Sequence, residues 1–361
     1  MSSERLHALN HEQIVDAIVS VGATNSIMVR GNMGVGKTSL MKMLKKRLPT
    51  HVGHTADTSM LDIPDIAMYD INNSTNSLNF IYNEALGLHE DRPIILNLDE
   101  FGKANPSVKL MLLRLVLERK MGNRTLHPDS IVFLTSNLEG EGVGDLLPAH
   151  ACNRITVVEL AKPTHEKWIE WGIDNKLHSS LLGWVKDNES VMADWRDIKN
   201  PDDNHHIFHP QAVGRTQFCT PRSLEKASNI LHGMNTFDEH TLRSLLVGTI
   251  GAYSALELVA FHKLASELPS AESIMNNPET AVIPSRASGK CMVIFRTLTN
   301  MDKEMVTPFC KYVRRMEDEI ISLFINGCYR ENYHARSVVM TNKAFSQLMI
   351  DYNFVHVSDK V

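Results

Sequence analysis

The chain has 361 residues, and at roughly 150 residues per domain two or three domains are expected. Apolar residues make up 43% and charged residues 22%, and the 19 glycines and 14 prolines are ordinary globular usage, which excludes collagen-like, low-complexity and disordered architectures. Lys and Arg number 37 against 42 Asp and Glu, a net charge of −5, so no bulk positive field draws the protein to nucleic acid or anionic membrane, and any polyanion must meet a local patch. Cys152, Cys219, Cys291, Cys310 and Cys328 are odd in number, widely spaced and without a C-x-x-C pair. That pattern argues against a disulfide framework or a Cys-rich zinc site and suits a reducing compartment. The start, MSSERLHALNHEQ, carries no apolar signal segment, and the apolar stretch from Leu245 to Phe261 is interrupted by Glu257 and too short for a bilayer. A cytoplasmic protein with no membrane span is expected.

In chain order, Asn10-x-x-Gln13 has the form of a capping box opening an amphipathic helix with Ile14, Ala17 and Ile18 on one face. Apolar runs of strand length follow at Ile27 to Val29, Ile94 to Leu98, Ile131 to Leu134 and Ile155 to Val158. Between the middle two, Asn105 and Pro106 supply an N-cap and a first-turn proline, and Val108, Leu112, Leu115 and Val116 keep helical spacing. Strands alternating with helices imply a parallel sheet with crossover helices, an α/β layered domain. After about Lys162 helical signals dominate. Pro163-Thr164 opens one helix, Pro221 another, Leu242 to Leu268 reads as one long apolar-faced helix, and Val313, Met316, Ile320, Leu323 and Phe324 mark a last helical portion. Three units are expected: an α/β domain over 1–161, a helical domain over 162–268 and a helical extension over 269–361.

The chemistry concentrates in the first unit. Gly31-Asn32-Met33-Gly34-Val35-Gly36-Lys37-Thr38 matches G-x-x-x-x-G-K-[ST] in full, with Ser39 opening the next helix. Glycines in this pattern let backbone N–H groups wrap a phosphate chain at a helix N-terminus; the lysine reaches the β/γ-phosphates and the hydroxyl ligates Mg²⁺. Leu40, Leu44 and Leu48 should face inward on that helix. Ile94 to Leu98 ends in Asp99-Glu100; in a phosphate-loop NTPase the acid at the end of such a strand holds Mg²⁺ and the adjacent one polarises the attacking water. Thr135-Ser136-Asn137 closes another strand. If that strand lies between the other two, Asn137 faces the γ-phosphate and can orient the water.

These residues, with Leu147-Pro-Ala-His-Ala-Cys-Asn153-Arg154 and Thr220-Pro221-Arg222-Ser223, resemble the AAA+ ATPases over residues 10 to 260. The resemblance implies a P-loop αβα sandwich with a parallel sheet and an all-α lid; the α-helical C-terminal extension beyond it carries no motif of the family. It implies ATP and Mg²⁺ as cofactors, Lys37, Asp99, Glu100, Asn137, Arg154 and Arg222 as catalytic residues, Thr38 and Asp99 as metal ligands, and residues 31 to 39 as the nucleotide loop. Arg154 corresponds to the arginine finger, supplied in such rings by a neighbouring subunit, and Arg222 to the lid arginine. The stretch Asp62-Ile-Pro-Asp65 and the run Leu112 to Gly122 look most like the MoxR-type, dynein-related branch. Membership there implies a homo-oligomeric ring, a hexamer, that remodels a protein partner in a chaperone-like way, often beside a von Willebrand factor A domain.

The alternative is a nucleic-acid motor or helicase loader, against which stand the charge of −5 and the lack of a long basic stretch. A nucleotide-gated scaffold with negligible turnover is disfavoured by Glu100, and a small-molecule kinase explains neither Asn137 nor the two arginines. Absence of N-K-x-D favours ATP over GTP. His205, His206 and His209 read as a solvated loop rather than a metal site. Lys42, Lys45, Lys46 and Arg47, like Lys311, Arg314 and Arg315, read as solvated helix faces.

Overall fold

Continuous apolar runs in the central strands, whose successive side chains point to opposite faces, build a sheet covered on both sides. A computed structural model describes residues 7–141, 149–265 and 268–352, and the chain divides into two compact units, Met1–Lys162 and Pro163–Val361. The first contains β1 (Ala8–Leu9), α1 (His11–Val21), β2 (Ser26–Arg30), α2 (Ser39–Arg47), β3 (Val52–Asp57), α3 (Ile63–Ile66), β4 (Ala67–Asn72), β5 (Ser77–Tyr82), β6 (Ile94–Asp99), α4 (Pro106–Glu118), β7 (Lys120–Met121), β8 (Arg124–Thr125), β9 (Ile131–Ser136), α5 (Ala149–Cys152) and β10 (Ile155–Leu160). Six strands form one parallel sheet in the order β1-β10-β2-β9-β6-β3. On one face Ile27, Val29, Ile95 and Phe133 pack with Ile14, Val15 and Ile18 of α1 and Leu40 and Leu44 of α2. On the other, Met28, Leu96, Leu98, Val132 and Leu134 pack with Val108, Leu112, Leu115 and Val116 of α4. Strands buried on both faces read as continuous apolar runs, which is why the sequence marks them clearly.

The helix starts follow from their caps. Asn10 and Gln13 exchange side chain to backbone bonds of 3.0 Å at α1, and Asn105 accepts from Ser107 N at the start of α4, where Pro106 follows. Leu40 and Leu44 are buried as expected, and α2 stops at Arg47. Two short antiparallel ribbons stand apart from the main sheet, β4 with β5 and β7 with β8.

The second unit is helical: α6 (His165–Asp174), α7 (Ser179–Asp187), α8 (Pro221–His232), α9 (Glu239–Ile250), α10 (Ala252–Ala265), α11 (Ala271–Asn276), α12 (Ala287–Asn300), α13 (Lys303–Val313), α14 (Asp318–Tyr329), α15 (Arg336–Met340) and α16 (Lys343–Asp351). Thr164 and Thr220 cap α6 and α8. Residues of the expected lid and of the expected extension share one apolar cluster, from Trp168 and Leu182 through Phe295 to Phe324 and Phe345. Cys291, Met292, Val293, Ile294 and Phe295 are all buried on α12, as an apolar stretch that runs once around a helix must be. No disulfide joins the cysteines among the described residues, and all but Cys152 are buried.

Two expectations are corrected. The single helix expected over Leu242 to Leu268 is two, α9 and α10, because Gly251 breaks it with φ 85°; a Cβ there would lie 2.6 Å from Gln217 O, so the close backbone approach requires glycine. The expected solvated loop buries His206 and His209: His206 Nδ1 bonds Ser254 Oγ at 3.0 Å, with its ring edge-on to Trp184, and His209 Nε2 bonds Ile198 O at 3.2 Å. Each is a hydrogen-bonded interior histidine. The cations read as solvated faces are partly engaged, with Arg47 on Asp16 at 2.7 Å and Arg314 on Asp351 at 2.6 Å. Among the described residues no helix is long and apolar enough to cross a membrane.

Candidate phosphate-loop active site

Parallel strands that all end at one edge bring distant residues together there. β9 lies between β2 and β6, so Gly31 to Thr38 after β2, Asn137 after β9 and Asp99-Glu100 at the end of β6 converge. The loop turns through Gly34 (φ 68°) and Gly36 (φ 104°) before Thr38 and Ser39 lead into α2. Only glycine adopts the second of these without strain. Lys37 is buried, and its Nζ donates to Gly31 O (2.7 Å), Asn32 O (3.2 Å) and Asn137 Oδ1 (2.7 Å).

Asn137 Nδ2 in turn donates to Glu100 Oε2 at 3.4 Å, and Lys103 Nζ pairs with the same oxygen at 2.7 Å. Glu100 Oε1 has no hydrogen bond among the described residues. Glu100 takes the left-handed conformation, φ 54° and ψ 32°, an uncommon state for a residue with a side chain. Asp99 Oδ1 accepts from Glu100 N at 3.0 Å and from the Thr135 hydroxyl, while Thr58 Oγ1 donates to Asp99 O at 2.8 Å. One carboxylate oxygen of Asp99 is thereby anchored.

Four contacts around the site have little sequence signal. Lys103 follows Glu100 by three residues, a spacing that could have suggested the pair. Thr58, Thr135 and Glu141 are brought in by strand order alone. Glu141 is buried, and its Oε2 accepts from Met33 N in the phosphate loop at 2.9 Å, while Glu139 lies 3.9 Å from Arg30. The segment after β9 is thus fastened to the loop after β2.

The residues fit a nucleotide with magnesium. The buried Asn32 Oδ1 and Ser136 Oγ have no hydrogen-bond partner among the described residues, so polar capacity remains beside the phosphate loop. Asp99 and Thr38 offer the hard oxygen donors that Mg²⁺ takes alongside phosphate. Among the described residues no group of three or more His, Cys, Asp or Glu could hold a metal ion.

Arg154 is exposed and sits immediately before β10, whose first residue, Ile155, is in register with Ser26 at the start of β2. The phosphate loop follows the other end of β2. The five residues of that strand, at about 3.3 Å each, place roughly 16 Å of sheet between Arg154 and the loop of its own chain. Leu147 and Pro148, at the start of the stretch that resembles the finger motif, lie outside the described residues. Arg222 is exposed in the first turn of α8, in the second unit.

No protein-family model matches the sequence, and a search of curated proteins returns no match. Solved structures to which the chain is similar include the RuvB Holliday junction branch migration motor of Thermotoga maritima, 14% identical over 74% of each chain with a TM-score of 0.37. A putative ATPase from Cytophaga hutchinsonii is 14% identical over 95% of this chain and 89% of that one, with a TM-score of 0.34. A closed-state reconstruction of Hsp104 with ATPγS and FITC casein is 17% identical over 70% and 46%, with a TM-score of 0.38. At such scores the functional reading rests on the geometry of the site.

Proposed function

We propose that the chain is a Mg-ATP hydrolase of the AAA+ type, MoxR-like, that assembles as a homohexameric ring and remodels a protein partner. The observation that carries this reading is the line Lys37 Nζ, Asn137, Glu100, joined by hydrogen bonds across the ends of three neighbouring parallel strands. Lys37 and the loop amides bind the phosphates, and Thr38 and Asp99 would hold Mg²⁺, which would supply neutralisation of phosphate charge. Asn137 orients a water, and Glu100 accepts its proton as the water attacks the γ-phosphate and the bond to ADP breaks. Arg154 of a neighbouring subunit offsets the charge that develops, and Arg222 on the helical lid answers to nucleotide state. A partner carrying a von Willebrand factor A domain belongs to the same proposal, as does a cytoplasmic location.

The deciding measurement is ATP binding and turnover by Glu100→Gln. Retained binding with turnover lowered at least 100-fold is expected; near-normal turnover removes Glu100 from its role. A pull-down with the same variant would then hold the partner.

A further inference from the structure

The ribbon of β4 and β5 carries five exposed large apolar side chains, Met68, Tyr69, Ile71, Leu78 and Ile81. Residues directly opposite in an antiparallel pair share a face, and the register pairs Ala67 with Tyr82, Tyr69 with Phe80 and Ile71 with Leu78. One face is therefore wholly apolar. Its base is covered: Phe80 and Tyr82 lie against Gly122 of the neighbouring ribbon, and Tyr82 donates to Met121 O at 2.8 Å. Its outer half is bare, with Tyr69, Ile71 and Leu78 58% to 65% exposed. The opposite face pairs Met68 with Ile81 and Asp70 with Asn79, and Met68 and Ile81 are each 61% exposed.

Among the described residues neither strand pairs with a third, so the outer edges of both present backbone groups that no described strand pairs. Proteins normally blunt such edges with charge or cover, and a bare apolar ribbon marks either an aggregation hazard or a binding site. The charge here has one sign. No lysine or arginine stands between Arg47 and Arg92, whereas Asp62, Asp65, Asp70 and Glu84 all do, and all four are exposed. Lys120 and Arg124 belong to the ribbon that covers the base, and Arg124 faces Asp91 at 3.6 Å. A polyphosphate backbone would be repelled. An extended polypeptide with alternating apolar and basic side chains would be accepted.

We propose that β4–β5 is a docking edge for an extended, basic and apolar segment of a partner protein, which adds as a third strand. Its apolar side chains continue the Tyr69, Ile71 and Leu78 face, and its Lys or Arg side chains lie on the Asp70 face, the division of labour usual when a strand is added to a sheet edge. This deepens the reading of a protein-remodelling ATPase and rests on it for its cellular meaning, while the binding itself needs no nucleotide.

The test is fluorescence anisotropy of the full chain, without nucleotide, against labelled peptides of alternating Val-Lys and alternating Val-Glu, and against oligo-dT. The Val-Lys peptide should bind and the Val-Glu peptide should not. Ile71→Ser with Leu78→Ser, which changes no charge, should weaken binding at least tenfold. Asp70→Asn with Glu84→Gln should weaken it at least threefold and flatten its salt dependence, which serves if the first variant folds poorly. The proposal is overturned if both variants bind like the parent, which would mean general attraction to an acidic protein, or if the Val-Glu peptide binds equally. It is also overturned if oligo-dT is the ligand lost in the variants, or if the parent ignores the peptides and the variants lose only self-association. Absence of ATP turnover with peptide binding intact would remove the proposed function and leave the docking edge standing.

Discussion

Lys37 Nζ lies 2.7 Å from Asn137 Oδ1 across one hundred residues of sequence, and this bond ties the phosphate loop to the strand that separates it from the acidic pair. Asn137 uses its carbonyl oxygen on Lys37 and its amide nitrogen on Glu100. Asn137→Ala should therefore leave ATP affinity within about threefold and lower kcat by about 100-fold, the scale expected when a reacting group loses its positioning. Nucleotide titration and steady-state turnover on the same preparation check both halves.

Lys103 pins one oxygen of Glu100 and leaves the other open. Lys103→Met should lower kcat by about tenfold with KM unchanged, because orientation of the carboxylate rather than nucleotide binding is lost. Lys103→Arg should restore most of the rate. A rise in kcat on removing Lys103 would instead make the pair a restraint on Glu100.

The sheet separating Arg154 from its own phosphate loop leads to a mixing experiment. Arg154→Ala and Lys37→Ala should each be inactive alone, and a mixture should regain activity through interfaces that combine an intact loop with an intact arginine. A cation at the transferring phosphoryl group is worth about 10³ or more in rate, so the recovered signal should be large. Full activity of Arg154→Ala on its own would sink the assignment.

Three histidines set a pH limit on the second unit. His178 lies 5.2 Å from His232 and 5.7 Å from His262, ring centre to ring centre, and its Nδ1 accepts from Ser180 N at 3.2 Å to cap α7. Burial first, and then the two neighbouring imidazoles, lower its pKa from 6.5 to about 4. A histidine held neutral in the fold is protonated more readily in the unfolded chain, so the unfolded state binds the extra proton as pH falls. Stability is complete above about 6.5, is lost progressively down to about 4, and the total is of the order of 3 kcal/mol. Thermal unfolding between pH 7 and pH 5 should show a falling midpoint, and His178→Gln should flatten that slope.

Much of the first unit was legible because its signals are local and consecutive. The phosphate loop is eight adjacent residues, β2, β6, β9 and β10 carry apolar runs, and Asn10 and Asn105 announce their helices through caps. Asn137 was legible only on the condition that its strand lay in the middle, a matter of strand order that no local pattern carries. Thr58, Thr135 and Glu141 reach the site for the same non-local reason. The β4–β5 ribbon was missed because its apolar residues are interspersed with Asp70, Asn72 and Asn79, which read as loop. Gly251 was passed over because the apolar spacing continues on both sides of it, and His206 and His209 because a polar stretch hid the pocket that buries them.

Glu100 is held at φ 54°, a backbone state that costs a side-chain-bearing residue about 1 kcal/mol and costs glycine almost nothing. The fold would rest more easily with glycine at that position than with the glutamate. Glu100→Gly should melt higher than the parent while losing turnover, so a screen for thermostability alone would select against the group that gives this site its chemistry.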